Sequence, residues 1–152
     1  MTVESTGFKA SDVLAGNLQK VLTDVTALSL VGKQLHWNIT GEGFRSLHLY
    51  LDEVVDIARE ASDEIAERMR VLQVVPNGLP ERNPLPTVPE TLVKTDDAEE
   101  LAVAAINATV GTMRDVHEKV DAEDSASADI LNDYIRRFEQ QAWFIRSQNG
   151  QA

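Results

Sequence analysis

The chain has no cysteine. Disulfide frameworks and thiolate metal sites are therefore excluded, and the composition is compatible with a reducing compartment. No run approaches the eighteen or so consecutive apolar residues that a membrane-crossing helix needs. Met1–Ala10 carry no charged-then-apolar pattern, so no signal peptide is expected, and the expected compartment is the cytoplasm. Basic residues are scarce: 14 Lys and Arg stand against 25 Asp and Glu, a formal net charge of −11. Such a chain repels nucleic acid and anionic membranes at long range and attracts cations, although a solubilising surface alone explains the same imbalance. Proline is absent from most of the chain. All five prolines, Pro76, Pro80, Pro84, Pro86 and Pro89, fall in one stretch. Proline breaks helices, so the remainder is free to be helical.

The apolar spacing uses that freedom. Val13, Leu14, Leu18, Val21, Leu22, Val25 and Leu28 recur at three- and four-residue steps, which predicts an amphipathic helix running to about His36. Gly41 and Gly43 then punctuate the chain. Phe44, Leu47, Leu51, Val54, Val55, Ala58, Ile65, Met69 and Leu72 form a second, long stripe. After the proline-rich connector, Asp96 followed by Glu99 reads as a capping box opening a third helix. That helix carries Leu101, Ala105, Ala108, Met113, Val116 and Val120. Ser125 is the expected cap of a fourth, with Ile130, Leu131, Tyr134, Ile135, Phe138, Ala142 and Ile145. No strand pattern competes, and no internal repeat is visible. The 152 residues suit a single domain, 1–152. Four helices with one long connection between the second and third predict an all-α, ferritin-like four-helix bundle, in which those two helices run parallel. Five prolines make any extra helix in the 76–89 connector short or absent.

Bundles of this layout often hold two metals on Glu-x-x-His motifs. That motif is absent: no Glu is followed three residues later by His. A different constellation is present. His36 ends the first helix and His48 begins the second, so an antiparallel pair puts both imidazoles at one end of the bundle. Asp63 and Glu67 lie on the second helix, one turn apart on one face, where both carboxylates can reach one metal. Fifteen residues separate His48 from Asp63, a rise of about 22 Å with a net rotation of roughly 60°. No Pro or Gly lies between them to break the helix. One subunit therefore cannot bring all four groups to one ion. A two-fold axis crossing near Val55 and Asp56 can. It sets two second helices antiparallel and carries His36 and His48 of one copy to Asp63 and Glu67 of the other, giving two sites per dimer.

The segments Lys33–Gln34–Leu35–His36–Trp37–Asn38–Ile39–Thr40–Gly41, Phe44 with Leu47–His48, and Asp63–Glu64–Ile65–Ala66–Glu67–Arg68 resemble the Dps family of mini-ferritins (DNA-binding proteins from starved cells). Ser127–Ala128–Asp129–Ile130–Leu131 and Trp143 also resemble family positions, so the resemblance covers nearly the whole chain. It implies a hollow, tetrahedral homo-dodecamer that oxidises Fe²⁺ (iron being both substrate and stored product), usually with hydrogen peroxide, at an inter-subunit ferroxidase centre. In that centre His36, His48, Asp63 and Glu67 are the expected iron ligands, and Asp52 is an accessory acid that hydrogen-bonds a ligand or a metal-bound water. Imidazole also suits zinc and copper, whereas the carboxylates favour iron.

Other residues carry two readings each. Trp37, beside His36, either accepts an oxidising equivalent or packs in the core; Trp143 is expected to pack. Asp121, Asp124 and Asp129 either line a pore, as the family implies, with Asp129 the leading candidate, or complement a helix N-terminus. Asp56, Glu60 and Glu64 either nucleate mineral or form a solvated face. His117 is expected at the surface, and Arg136 and Arg137 are expected to pair with neighbouring acids. The alternative function is compaction of nucleoid DNA. Family members that bind DNA generally use Lys/Arg-rich tails, whereas here Met1–Ser11 hold only Lys9, and only Arg146 follows Trp143. DNA binding is therefore not expected.

Overall fold

A computed structural model describes residues 7–148 and 150. Its elements are α1 (Asp12–Asn38), β1 (Ile39–Thr40), α2 (Phe44–Val71), β2 (Val93–Lys94), α3 (Thr95–Glu123) and α4 (Ser125–Ser147). The helices form the expected bundle. α1 packs on α2 and α3, α4 packs on the same two, and α2 and α3 lie across the diagonal. Among the described residues no helix is long and apolar enough to cross a membrane.

Ser11 starts α1. Its hydroxyl oxygen accepts the Leu14 N–H at 3.1 Å, and Asp12 complements the helix dipole in the first turn. Ser11 also donates its own N–H to Glu123 at 2.9 Å, which ties the start of α1 to the end of α3. Leu14, Leu18, Val21, Leu22, Val25 and Leu28 are buried as the spacing requires. Val13 and Phe44, both assigned to stripes, lie outside the core at 61% and 41% exposure, because each sits at the edge of its helix's apolar face. Gly32 lets α1 and α2 approach closely: a β-carbon there would stand 2.7 Å from Cγ2 of Val55. Val55 thus faces α1, and at this level of α2 it is Asp56 that faces solvent.

Two expected caps are corrected. α3 begins at Thr95, not after Asp96, and its N-cap Lys94 makes no side-chain cap bond. The cause is tertiary. β1 and β2, strands not anticipated from the sequence, pair in parallel, with Ile39 opposite Val93 and Thr40 opposite Lys94. That pairing holds the entry to α3 extended, and the Thr95 hydroxyl donates to the Glu42 carbonyl at 2.7 Å. Asp96 then serves in the first turn, where its charge suits the dipole. At α4 the N-cap position belongs to Asp124, not Ser125. Its carboxylate accepts from Arg68 at 2.8 Å and from the Ser127 hydroxyl.

The connector, 72–92, contains no helix. α2 ends in a left-handed Gln73 (φ 65°), with the Val74 N–H donating to the Met69 carbonyl at 2.9 Å. One residue of α1 then grips the connector. The Gln19 carboxamide donates to the Asn77 carbonyl at 2.9 Å and accepts the Asn77 N–H at 2.8 Å. Leu85, held in an Asn83 side-chain turn, plugs the connector into the core. The chain thereby returns to the end of the bundle where α1 stops and α2 starts, so α2 and α3 run parallel as expected.

Candidate metal centre

His36 lies in the last turn of α1, where helix carbonyls have no N–H partner within the helix. The structure uses that vacancy. The His48 Nδ1–H donates to the His36 carbonyl at 2.9 Å, and the His36 Nδ1–H donates to the His48 carbonyl at 2.8 Å. A carbonyl only accepts, so this exchange puts a proton on Nδ1 in both rings, and in the neutral imidazole it is Nε2 that carries the lone pair. The rings stack at 3.6 Å between centroids and 17° between planes, and Phe44 also stacks on His48 at 5.0 Å. Two imidazoles locked by backbone acceptors form a rigid donor pair of the kind that metal-binding histidines show. The turn that delivers them is fixed by Gly41 (φ 120°) and Gly43 (φ 79°), conformations that side chains disfavour, and by the β1–β2 pair.

Asp52 lies one turn along α2. Its Oδ1 pairs with the Lys33 ammonium at 2.5 Å and lies 3.5 Å from His36 Nδ1. The Lys33 hydrogen bond holds the Asp52 carboxyl below its ordinary range. Asp52 thus lies beside the histidine pair, its hydrogen bond going to Lys33 while the His36 Nδ1–H goes to the His48 carbonyl. The pairing of Lys33 with Asp52 is not legible in the sequence, because a contact between two helices leaves no trace in spacing.

Asp63 and Glu67 occupy the far half of α2, exposed and one turn apart. α2 is one uninterrupted helix from Phe44 to Val71, so the imidazole pair and the carboxylate pair stay at opposite ends of it. Among the described residues of the single chain, no three His, Asp or Glu side chains converge to hold a metal. The structure brings His36, His48 and Asp52 together and keeps Asp63 and Glu67 apart from them.

The remaining acids divide. Glu60 is bound by Arg137, which holds its carboxyl below the ordinary range, and Glu64 accepts the Tyr134 hydroxyl at 2.5 Å. Both are tied to α4 yet remain exposed, as does Asp56. Burial pushes Asp124 up, but the hydrogen bonds from Ser127 and Arg68 outweigh it, and its carboxyl sits below the usual range. Asp121 and Asp129 are exposed. His117 is half-buried and bonded through Nε2 to Asn132 Oδ1 at 2.7 Å, so it bridges α3 and α4 and is no free surface residue. Arg136 and Arg137 do pair with acids: Arg136 with Asp133, and Arg137 with both Asp133 and Glu60. Trp37 is 67% exposed and Trp143 is 52% exposed, so neither packs in the core of this chain.

Comparison with known proteins agrees with this architecture. Residues 15–152 match the family model of the ferritin-like domain. The fine tangled pili major subunit of Haemophilus ducreyi is 34% identical over 150 residues, covering 96% of this chain and 79% of that one. The DNA protection during starvation protein of Mycolicibacterium smegmatis is 32% identical over 143 residues, covering 91% and 78%. The tetragonal form of Mycobacterium smegmatis Dps superposes with a TM-score of 0.85 at 25% identity, covering 96% of this chain and 94% of that one. A four-helix bundle with a helix-free long crossover, a locked histidine pair at one end of α2 and these relatives along nearly its whole length lead to one assignment: the chain belongs to the Dps family of ferritin-like proteins.

Proposed function

We propose that this protein oxidises Fe²⁺ at centres shared between two copies of the chain and stores the ferric product inside a hollow homo-oligomer, a dodecamer. The observation that supports this reading is a separation. Two imidazoles with Nε2 lone pairs sit at one end of a straight helix, and two exposed carboxylates one turn apart sit at the other. Two such helices packed antiparallel about a two-fold axis bring each His36–His48 pair to the partner's Asp63 and Glu67. A set of two imidazoles and two carboxylates suits iron and leaves coordination positions open for oxidant and water. Hydrogen peroxide is the oxidant in this proposal. It takes one electron from each of two Fe²⁺ ions and leaves as two hydroxides, so no hydroxyl radical is released. Asp52, bonded to Lys33, sets a negative charge 3.5 Å from His36 Nδ1, the nitrogen that the His48 carbonyl holds. Trp37 and Leu30, both exposed and seven residues apart on one face of α1, are surfaces that a second copy covers.

Complementation tests the shared site. His48→Ala and Asp63→Ala chains each lack a ligand at every centre and oxidise Fe²⁺ slowly as pure assemblies. A forced mixed dimer holds one doubly damaged centre and one intact centre, and recovers roughly half the wild-type rate per dimer. Mixed dimers as inactive as their parents would rule out the inter-subunit centre, provided both variants assemble normally.

DNA compaction is the second reading, favoured by the name that relatives in Mycolicibacterium smegmatis and Halobacterium salinarum carry, DNA protection during starvation protein. The charge of this chain, −11, and its poverty in basic residues weigh against it. The tail residues concerned, 1–6, 149 and 151–152, lie outside the described residues.

A further inference from the structure

The connector carries the pair Asn77–Gly78, and both residues are exposed. Asparagine followed by glycine is chemically unstable when the glycine nitrogen can reach the side-chain carbonyl carbon, because no β-carbon obstructs the approach. Three features of the fold favour that step here. The Asn77 Oδ1 already accepts the Leu79 N–H at 2.9 Å, a side-chain turn that folds the carboxamide over the backbone toward Gly78. That same N–H lies where negative charge develops on Oδ1 during attack, as an oxyanion donor does. The space around Gly78 is open, since a β-carbon built there meets nothing within 4 Å.

We propose that Asn77 is a self-modifying site, converting spontaneously to isoaspartate and aspartate through a cyclic imide with Gly78. The Gly78 nitrogen loses its proton to solvent and bonds to Cγ of Asn77. The Cγ–Nδ2 bond breaks as Nδ2 takes up a proton from solvent, and ammonia leaves. Water then opens the imide at either carbonyl, with no net oxidation or reduction. Each event adds one negative charge. In the isoaspartyl product the chain runs through Cβ and Cγ of residue 77, and its former main-chain carbonyl becomes a free carboxylate. That carbonyl is the group the Gln19 carboxamide holds. Modification therefore lengthens the backbone immediately after the Gln19 clamp between α1 and this part of the connector, and it loosens residues 78–84.

The test ages the assembled full-length protein at neutral pH and follows peptides by mass spectrometry. Isoaspartate is read by enzymatic methyl transfer to its free carboxylate. A synthetic peptide spanning residues 73–82 is aged in parallel. The expected result is a peptide one mass unit heavier at residue 77, methyl-accepting, that accumulates at least as fast in the folded protein as in the free peptide. Gly78→Ala, for which the structure leaves room, slows the reaction several-fold, and Asn77→Gln abolishes it. The modified fraction loses hydrogen-exchange protection at the Asn77 amide, which Gln19 accepts in the native clamp. The second Asn-Gly of the chain, Asn149–Gly150, is resolved from it by peptide mapping. A folded protein that stays unmodified at residue 77 while the free peptide converts would overturn the proposal. So would equal rates in wild type and Gly78→Ala.

Discussion

At the scale of single residues, the chain places charge where solvent is scarce in two different ways. Asp124 is partly buried but bound by Arg68 and Ser127, so its ionised form is favoured. Asp24 is 7% exposed on α1 and receives only a neutral partner, the Thr112 hydroxyl at 2.6 Å. Burial raises its pKa, and the Thr112 bond offsets this only in part. An acid whose folded-state pKa is raised binds its proton more tightly when folded. Stability therefore falls as pH rises from the ordinary carboxyl value through the raised one, and the cost persists at neutral pH. Asp24→Asn keeps an acceptor for Thr112 and removes the charge. It should raise the melting temperature at neutral pH, and the gain should vanish in acid, where the wild-type carboxyl is already protonated. Thermal melts of both proteins across that range decide the point, and equal melting temperatures at neutral pH would contradict it.

At the scale of elements, the candidate centre depends on how α1 meets α2. The two helices are drawn together at Gly32 against Val55, four residues before His36, and their connecting turn is locked by Gly41, Gly43, Thr95 and the β1–β2 pair. Gly32→Ala puts a β-carbon 2.7 Å from Val55 Cγ2, inside any tolerable contact. Overpacking of this kind costs about 1–3 kcal/mol, measurable by denaturant titration. Because the strain lies next to the histidine turn, the same variant should also oxidise Fe²⁺ more slowly. Unchanged stability would mean that α1 and α2 move apart freely. A loss of stability with full activity would mean that the turn alone holds the histidines.

At the scale of the whole molecule, the exposed apolar residues Leu30, Trp37 and Leu49 lie on α1 and on the histidine end of α2. That distribution suits an assembly, and light scattering of the native protein should give a multiple of the chain mass, twelvefold in the proposed form. A monomer mass would defeat the shared centre as well as the shell. Assembly also multiplies the charge of −11 carried by each chain. Duplex DNA should accordingly not be retained in a gel shift near neutral pH and physiological salt. Tight, steeply salt-dependent binding would reveal a basic surface that the assembled chains create together.

The sequence by itself determined the helices, because apolar spacing and the confinement of proline to one stretch are local properties. It also determined that His48 and Asp63 cannot meet within one chain, since helix rise is a constant of the backbone. Tertiary structure alone decided the rest. The cap of α3 moved because β2 pairs with β1 and holds the entry to the helix extended, and at α4 Arg68 and Ser127 hold the carboxylate of the residue at the cap position, Asp124. Glu60 and Glu64 stay exposed but bond to Arg137 and Tyr134 of α4, which reach them across the bundle. The tautomers of His36 and His48 were assigned by each other's backbone carbonyls, brought into range only when α1 folds back on α2. Contacts between residues distant in the chain have no period and no spacing, so only the packed structure expresses them.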